Sequence, residues 1–205
     1  MTVENGREGG GTGLLIMGHG SRDGRATEEF GELVARVRKR APHLPVEGGF
    51  IELSRPPISE SVRRLVEGGS TEISAVPLML LAAGHAKNDI PATLVRERLA
   101  HPGVSFGYGR ALGVRPELLE LMDARVRAAV PEAERAETAV LVVGRGSSDP
   151  DANSDLFKIA RLFYEGRPSP LVEAAFVSLA PPGVPEALER LRRLGVRRIA
   201  VFSYF

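Results

Sequence analysis

The sequence contains no cysteine among its 205 residues. The absence of thiols excludes disulfide bonds, thiolate metal sites and cysteine nucleophiles, so any metal must be bound through nitrogen and oxygen. No apolar run approaches the roughly 20 residues that a membrane-spanning helix requires. The first dozen residues are rich in glycine and charge and contain no apolar signal segment. We therefore expect residues 1–12 to form a flexible tail and the protein to be cytoplasmic.

An excess of charge of either sign is also missing. Lysine and arginine number 27 against 26 aspartates and glutamates, which gives a formal net charge of +1 at pH 7. A nucleic-acid-binding domain usually carries a concentrated basic excess, so the charge balance argues against nucleic acid as a partner.

Short apolar strands alternate with helical patterns along the chain. The strand-like segments lie at Leu14–Met17, Val46–Leu53 and Ile73–Leu81, and each is followed by a segment with helical periodicity. Further helices are predicted from about Asp89 and over Pro116–Val130. Regular alternation of this kind is typical of a parallel sheet covered by helices on both sides. The predicted fold class is therefore α/β.

The chain also repeats itself at one fixed offset. The segment GHGSRD at residues 18–23 aligns with GRGSSD at residues 144–149, 126 residues later, and the same offset continues without a gap through the following strand and helix. Such self-similarity predicts two homologous α/β lobes, the first over residues 13–131 and the second over residues 137–205. Two complete halves of this period would need more residues than the chain contains, so we expect the second lobe to be truncated.

Differences between the two halves point to the chemistry. His19 aligns with Arg145, and Glu52 aligns with Ser178. The first half thus keeps an imidazole and a carboxylate where the second half has neither a metal ligand nor a comparable base. The position equivalent to His85 lies beyond the last residue of the sequence. A functional site is therefore expected in the first half.

Three candidate residues follow three predicted strands. His19 follows the first strand, Glu52 closes the second and His85 follows the third. The carboxyl ends of parallel strands form the ligand crevice of such sheets, so we expect these side chains to converge. Two imidazoles and one carboxylate suit a divalent ion such as Co²⁺, Fe²⁺, Ni²⁺ or Zn²⁺ and leave coordination positions open.

Each candidate also has a structural alternative that the sequence leaves open. His19 can be a loop histidine that caps the following helix, Glu52 a solvent-facing residue of an edge strand, and His85 a turn residue beside a glycine. The other two histidines, His43 and His101, each stand next to a proline and are interpreted as turn residues.

These motifs together resemble the class II tetrapyrrole chelatases of the CbiX/SirB type. The resemblance rests on GHGSR at residues 18–22, GFIEL at residues 49–53 and AGHAKNDIP at residues 83–91, and it covers nearly the whole chain after the tail. It implies a fold of two similar lobes and ATP-independent insertion of Co²⁺ or Fe²⁺ into sirohydrochlorin, a lyase step toward cobalamin or siroheme. No organic cofactor is expected, because the metal is a substrate.

The resemblance also implies roles for individual residues. His19 and His85 would bind the metal and accept protons, with Glu52 as their acidic partner. Sirohydrochlorin carries several carboxylates, so polar and cationic groups are expected to bind it. The candidates for substrate binding are Ser21, Arg22, Arg25, Lys87 and Arg145. Two other functions stay open: a non-catalytic metal- or tetrapyrrole-binding protein, and a chelatase for another metal such as Ni²⁺.

Overall fold

The computed structural model describes residues 11–167 and 169–205, apart from the side chains of His85 and Ala86. The strands are β1 (Gly11–Gly18), β2 (Val46–Phe50), β3 (Ser70–Pro77), β4 (Ser105–Tyr108), β5 (Thr138–Gly144), β6 (Val172–Phe176) and β7 (Arg198–Ser203). The helices are α1 (Gly24–Arg40), α2 (Ile58–Glu67), α3 (Ile90–Ala100), α4 (Pro116–Ala129), α5 (Glu132–Arg135), α6 (Pro150–Glu165) and α7 (Val184–Arg193), and a π-helical turn (His85–Asp89) precedes α3. No helix in this part of the chain is long and apolar enough to span a membrane.

The predicted tail over residues 1–12 falls outside the described residues except at its end. Gly11 and Thr12 belong to β1, where they extend the strand toward the amino edge of the sheet. The predicted helix that opens at Pro116 ends at Ala129, one residue before the predicted end. The helix predicted from about Asp89 begins at Ile90.

The first compact unit comprises the described residues up to Met79 together with His85–Ala111. Its four strands are all parallel, in the order β2-β1-β3-β4. Successive side chains of a strand point to opposite faces, and β1 divides its apolar residues accordingly. Leu15 and Met17 pack with α2 and α3, whereas Ile16 packs with α1. Helices thus cover both faces of the sheet, which confirms the predicted α/β class.

The second unit comprises Leu80–Gly84 and Leu112–Phe205. Its described strands are parallel, in the order β6-β5-β7. β5 is buried along its whole length, with Val140 and Val142 packed against α4 and α6 and with Leu141 packed against α7. The same layering of helix, sheet and helix therefore recurs, around a smaller sheet.

The division into units differs from the lobe boundaries expected from the repeat. The expected lobes, residues 13–131 and 137–205, place α4 in the first half, whereas α4 packs within the second unit. Met122 on α4 is 1% exposed and belongs to the same apolar cluster as Phe163 and Tyr204. Burial of this apolar face explains why α4 groups with the second unit.

The internal repeat extends to irregular parts of the backbone. Phe50 N donates a hydrogen bond to Pro56 O, and Phe176 N donates to Pro182 O, both at 2.9 Å. Leu53 and Leu179, 126 residues apart, share a left-handed φ, of 62° and 65° respectively, although a branched side chain seldom adopts this region. Features this uncommon at one fixed offset confirm that the two halves are repeats of one structural unit.

We expect the apolar face of α7 to contribute strongly to stability. Leu191 is completely buried, whereas Leu194, three residues later, is 62% exposed. Leu191→Ala should lower the free energy of unfolding by about 2–5 kcal/mol, because it removes buried methyl groups and leaves a cavity. Leu194→Ala should change it by only about 0.5 kcal/mol. Denaturant titrations followed by circular dichroism measure both values, and equal losses would contradict this packing.

Candidate functional site

Two loops lie side by side at the carboxyl edge of the first sheet. Loop 1 (residues 19–23) joins β1 to α1, and loop 2 (residues 51–57) joins β2 to α2. Ile51 N donates to Gly18 O at 3.0 Å, and Glu52 N donates to His19 O at 3.1 Å. These main-chain hydrogen bonds bring two of the predicted site residues, His19 and Glu52, next to each other.

Glu52 lies in loop 2 and not on a strand. The sequence places it on an apolar strand that runs from Val46 to Leu53, but β2 ends at Phe50. The chain leaves the extended conformation at Leu53, whose φ is 62°. The alternative interpretation of Glu52 as an edge-strand residue is therefore wrong. Likewise, the strand predicted over Ile73–Leu81 ends at Pro77.

Loop 1 approaches loop 2 so closely that residue 20 must be glycine. Gly20 has a φ of +99°, and a Cβ atom at this position would lie 1.8 Å from the carbonyl oxygen of Glu52. Only glycine adopts this conformation without strain and leaves room for the carbonyl. The second unit repeats the contact, because a Cβ on Gly146 would lie 1.8 Å from Ser178 O. The close approach is therefore a feature of the repeated backbone and does not depend on which side chains the loops carry.

The side chains of His19 and Glu52 form a close, half-exposed pair. His19 Nε2 lies 3.3 Å from Glu52 Oε1, and the two side chains are 34% and 50% exposed. His19 Nδ1 lies 3.1 Å from Gly20 O. A carbonyl oxygen can only accept, so Nδ1 carries a hydrogen and donates it. Nε2 is thereby directed at the carboxylate, and two electron-rich atoms this close are stabilised by a positive charge between them, either a proton or a metal ion.

The separation of these two atoms suits a shared metal ion. Two ligand atoms that each lie about 2.1 Å from one ion, at a tetrahedral angle, are about 3.4 Å apart. The observed 3.3 Å between Nε2 and Oε1 is close to that value. The described side chains include no group of three His, Asp or Glu residues placed to hold a metal, here or elsewhere. The pair alone supplies two ligands and leaves the remaining positions open.

His85 has a defined backbone, but its side chain lies outside the described part of the structure. The residue begins the π-helical turn that follows the carboxyl end of β3. Its backbone position, in a single π-helical turn after Gly84, is compatible with both the metal-ligand prediction and the alternative of a turn residue. Its role as a metal ligand stays a prediction.

An open pocket of about 340 Å³ lies beside His19. Loop 1 lines one part of the pocket, and apolar side chains from α1 and the strand ends line another. The apolar members are Ala26, Phe30, Leu33, Phe50 and Leu78. The histidine therefore stands at the border between a polar loop and an apolar surface.

The predicted substrate-binding cations are exposed. Arg22 and Arg25 flank the start of α1, Lys87 lies in the π-helical turn, and Arg145 lies in the second unit at the position equivalent to His19. Arg25 Nη2 lies 3.7 Å from Glu29 Oε1, a long and solvent-exposed ion pair. Such pairs contribute little to stability, so this cation is available to a ligand at small cost.

Ser21, the remaining candidate for substrate binding, takes part in hydrogen bonds within and between the loops. Its Oγ accepts a hydrogen bond from Asp23 N at 3.0 Å, and its main-chain N–H donates to Ser54 Oγ at 2.9 Å. Asp23 in turn caps α1 by accepting from Arg25 N. Ser21 is therefore part of the internal structure of loop 1.

Ser54, the partner of Ser21, is not among the residues predicted from the sequence. One signal for it exists in the repeat, because the equivalent position 180 is an alanine.

The equivalent edge of the second unit lacks the His–Glu pair. Ser178 stands in place of Glu52 and donates from Oγ to Arg145 O at 3.2 Å. Tyr204, whose main-chain N–H donates to Val143 O, stands in place of Leu78. Burial and the neighbouring Asp155 carboxylate raise the pKa of the Tyr204 phenol, which stays protonated at neutral pH. The positions equivalent to His19 and Glu52 thus carry a guanidinium and a hydroxyl in the second unit.

Comparison with known proteins gives consistent matches. The model of the CbiX family matches residues 13–129 and 139–205. A sirohydrochlorin cobaltochelatase of Priestia megaterium is 37% identical over 195 residues, which are 94% of this chain and 63% of that protein. A sirohydrochlorin ferrochelatase of Bacillus subtilis is 34% identical over 180 residues, 88% of this chain and 68% of that protein. The chain thus spans about two thirds of the length of these relatives.

A solved structure shows the same arrangement of elements. The structure of SirB from Bacillus subtilis with Fe³⁺ superimposes with a TM-score of 0.84 at 32% sequence identity. The match covers 95% of this chain and 77% of the other. The similarity therefore extends over nearly the whole chain.

The close approach of the two loops generates a test of the glycine requirement. Gly20→Ala should lower the free energy of unfolding by at least about 2 kcal/mol, because the new methyl group meets Glu52 O and forces a left-handed φ on an L-residue. Gly24→Ala is the matched control, since a Cβ there meets nothing within 4 Å. Thermal unfolding of both variants measures the difference. Equal melting temperatures would contradict the geometry of loop 1.

Proposed function

Because the chain belongs to the CbiX family, we propose that it is a sirohydrochlorin chelatase, which inserts Co²⁺ or Fe²⁺ into the macrocycle without ATP. The observation that carries the proposal is the His19–Glu52 pair, with Nε2 and Oε1 3.3 Å apart at the border of a pocket. The names of the relatives, which specify cobalt in one case and iron in the other, support both metals.

In metal insertion, a divalent ion enters the ring and two protons leave it. The ion must leave its ligands for the four nitrogens of the ring, and two pyrrolic protons must leave the ring. A base near the macrocycle accelerates such proton transfers, and ligands that hold the ion through few bonds release it readily. His19 and Glu52 supply both functions in one place. After the ion moves to the ring, one of the two ring protons can replace the ion between Nε2 and Oε1. A positive charge then lies between these two atoms both before and after the transfer.

His85 completes the proposed site as a third ligand and second proton acceptor. The support is its position: it begins the π-helical turn after β3, the strand that pairs directly with β1. Histidine exchanges protons near neutral pH and binds first-row divalent ions in its neutral form. Two imidazoles and one carboxylate would leave coordination positions open for the ring nitrogens.

Four exposed cations are proposed to bind carboxylates of sirohydrochlorin. Arg22, Arg25, Lys87 and Arg145 all follow or flank the carboxyl ends of strands. Guanidinium groups bind carboxylates through two parallel hydrogen bonds, which fixes orientation as well as affinity. The Ser21 hydroxyl accepts from Asp23 N and still has its hydrogen to donate, so it remains a proposed substrate-binding group.

The metal-binding residues are tested by substitution. His19→Ala combined with His85→Ala should reduce Co²⁺ insertion to the rate without protein, because both imidazoles are removed. Glu52→Gln should lower the rate about 10- to 100-fold, since it keeps the shape but removes the negative charge. The exposed turn residue His43 provides the control: His43→Ala should retain the parental rate. The absorbance change of sirohydrochlorin measures all four proteins.

The same assay with Co²⁺, Fe²⁺ or Ni²⁺ in turn distinguishes the competing functions. Insertion of cobalt or iron above the protein-free rate supports the proposed activity. Binding of metal or tetrapyrrole without acceleration for any ion would contradict it and favour a carrier. Affinities for divalent ions follow a common order at most nitrogen and oxygen sites, so rates rather than affinities must decide the metal.

Substrate recognition by Arg145 generates a separate prediction. Arg145→Ala should raise KM for sirohydrochlorin about tenfold, the loss expected for one charge-assisted hydrogen bond, with a smaller effect on kcat. Arg197→Ala is the control, because Arg197 is exposed just before β7, away from the carboxyl edge of its sheet. Steady-state kinetics at saturating metal measure both constants. An unchanged KM would remove Arg145 from the substrate site.

A further inference from the structure

Ser54 forms a dense set of hydrogen bonds between the two loops. Its Oγ accepts from Ser21 N at 2.9 Å, donates to Ser21 O at 2.8 Å and lies 3.1 Å from Thr27 Oγ1. A hydroxyl has one hydrogen to donate and two lone pairs. Because its hydrogen is directed at Ser21 O, Thr27 must be the donor in the third bond. The bonding capacity of the Ser54 hydroxyl is therefore used in full within the protein.

These bonds connect the two loops just after the metal-binding pair. Ser21 stands two residues after His19, and Ser54 stands two residues after Glu52. Glu52 and its neighbour Leu53 are half-exposed, with little packing around them to hold them in place. The position of His19 relative to Glu52 therefore depends on how firmly the main chains of the loops are held.

The second unit holds the equivalent main-chain groups by another route. Ser147, the counterpart of Ser21, donates from N to Asn153 Oδ1 at 3.0 Å and accepts at O from Asn153 Nδ2 at 2.8 Å. Asn153 aligns with Thr27, and Ala180 aligns with Ser54. The same N–H and C=O groups are thus satisfied in both units. In the second unit these groups bind a side chain of the following helix, α6. In the first unit they bind a side chain of loop 2, the loop that carries Glu52.

We propose that Ser54, with Thr27 as its donor, is a positioning residue that sets the geometry of His19 and Glu52 by holding the main chain of Ser21. The inference rests on the proposed chelatase function. The hydrogen and both lone pairs of the Ser54 hydroxyl are used within the protein, so the hydroxyl cannot bind a metal. Ser54 therefore acts by holding loop 1 in place and not by contact with the substrate. Productive placement of reacting groups to a fraction of an ångström is worth large factors in rate.

The first test removes the hydroxyl. Ser54→Ala should lower kcat for Co²⁺ insertion about 10- to 100-fold and weaken Co²⁺ binding several-fold, while the melting temperature falls by only a few degrees. Ser105→Ala is the matched control: its Oγ donates to Thr71 O at 3.4 Å, at the amino edge of the same sheet. This variant should keep the parental kcat and Co²⁺ affinity. A Ser54→Ala protein with both parental values would overturn the proposal.

The second test introduces the asparagine and alanine of the second unit at the equivalent positions of the first. In Thr27→Asn/Ser54→Ala, the asparagine can bind Ser21 N and O as Asn153 binds Ser147. Recovery of most of the lost kcat and Co²⁺ affinity would support a positioning role, since a purely chemical role of the hydroxyl cannot be restored in this way. A double variant that melts at the parental temperature but remains as impaired as Ser54→Ala would overturn it.

Failure of the proposed function is distinguishable from failure of this inference. If the parental protein does not insert Co²⁺ or Fe²⁺, the chelatase proposal fails, and calorimetric titration with CoCl₂ alone still compares the parental, Ser54→Ala and double-variant proteins. Loss and recovery of Co²⁺ affinity would support the positioning role even then. Identical affinities in all three proteins would overturn it.

Discussion

The candidate site depends on the contact between two main chains at the carboxyl edge of the first sheet. Loop 1 turns through Gly20 directly against the carbonyl of Glu52, at a distance that excludes even a methyl group. Main-chain hydrogen bonds from Ile51 and Glu52 then join the loops side by side. The His19–Glu52 pair is a consequence of this contact, because neither side chain is buried deeply enough to be fixed by packing.

The two units separate what the fold requires from what the chemistry requires. Both keep the glycine turn, the left-handed leucine and the same main-chain hydrogen bonds, 126 residues apart. The proposed metal ligands His19 and Glu52 of the first unit are replaced by Arg145 and Ser178 at the equivalent positions of the second. The backbone thus provides the same platform at the ends of parallel strands in both units, and the side chains on it differ: an imidazole and a carboxylate in the first, a guanidinium and a hydroxyl in the second.

Much of this organisation could be predicted from the sequence, because its signals are periodic or repeated. Alternation of apolar runs gives parallel sheets, and the fixed offset identifies His19 and Glu52 as the informative differences. The end of β2 could not be predicted, since the apolar pattern continues to Leu53 and hydropathy does not report a left-handed φ. The packing of α4 in the second unit could not be predicted either, because the apolar face of an amphipathic helix does not specify which sheet it covers. Ser54 was overlooked because a single serine carries no pattern.

The two ways of holding the loop also constrain how the halves could have diverged from a common ancestor. Passing from Asn153 with Ala180 to Thr27 with Ser54 takes two substitutions, and their order matters. A serine acquired first leaves an intermediate with two possible acceptors for the single main-chain N–H, whereas a threonine acquired first leaves this N–H with neither. The effect of each substitution on loop 1 therefore depends on whether the other is present.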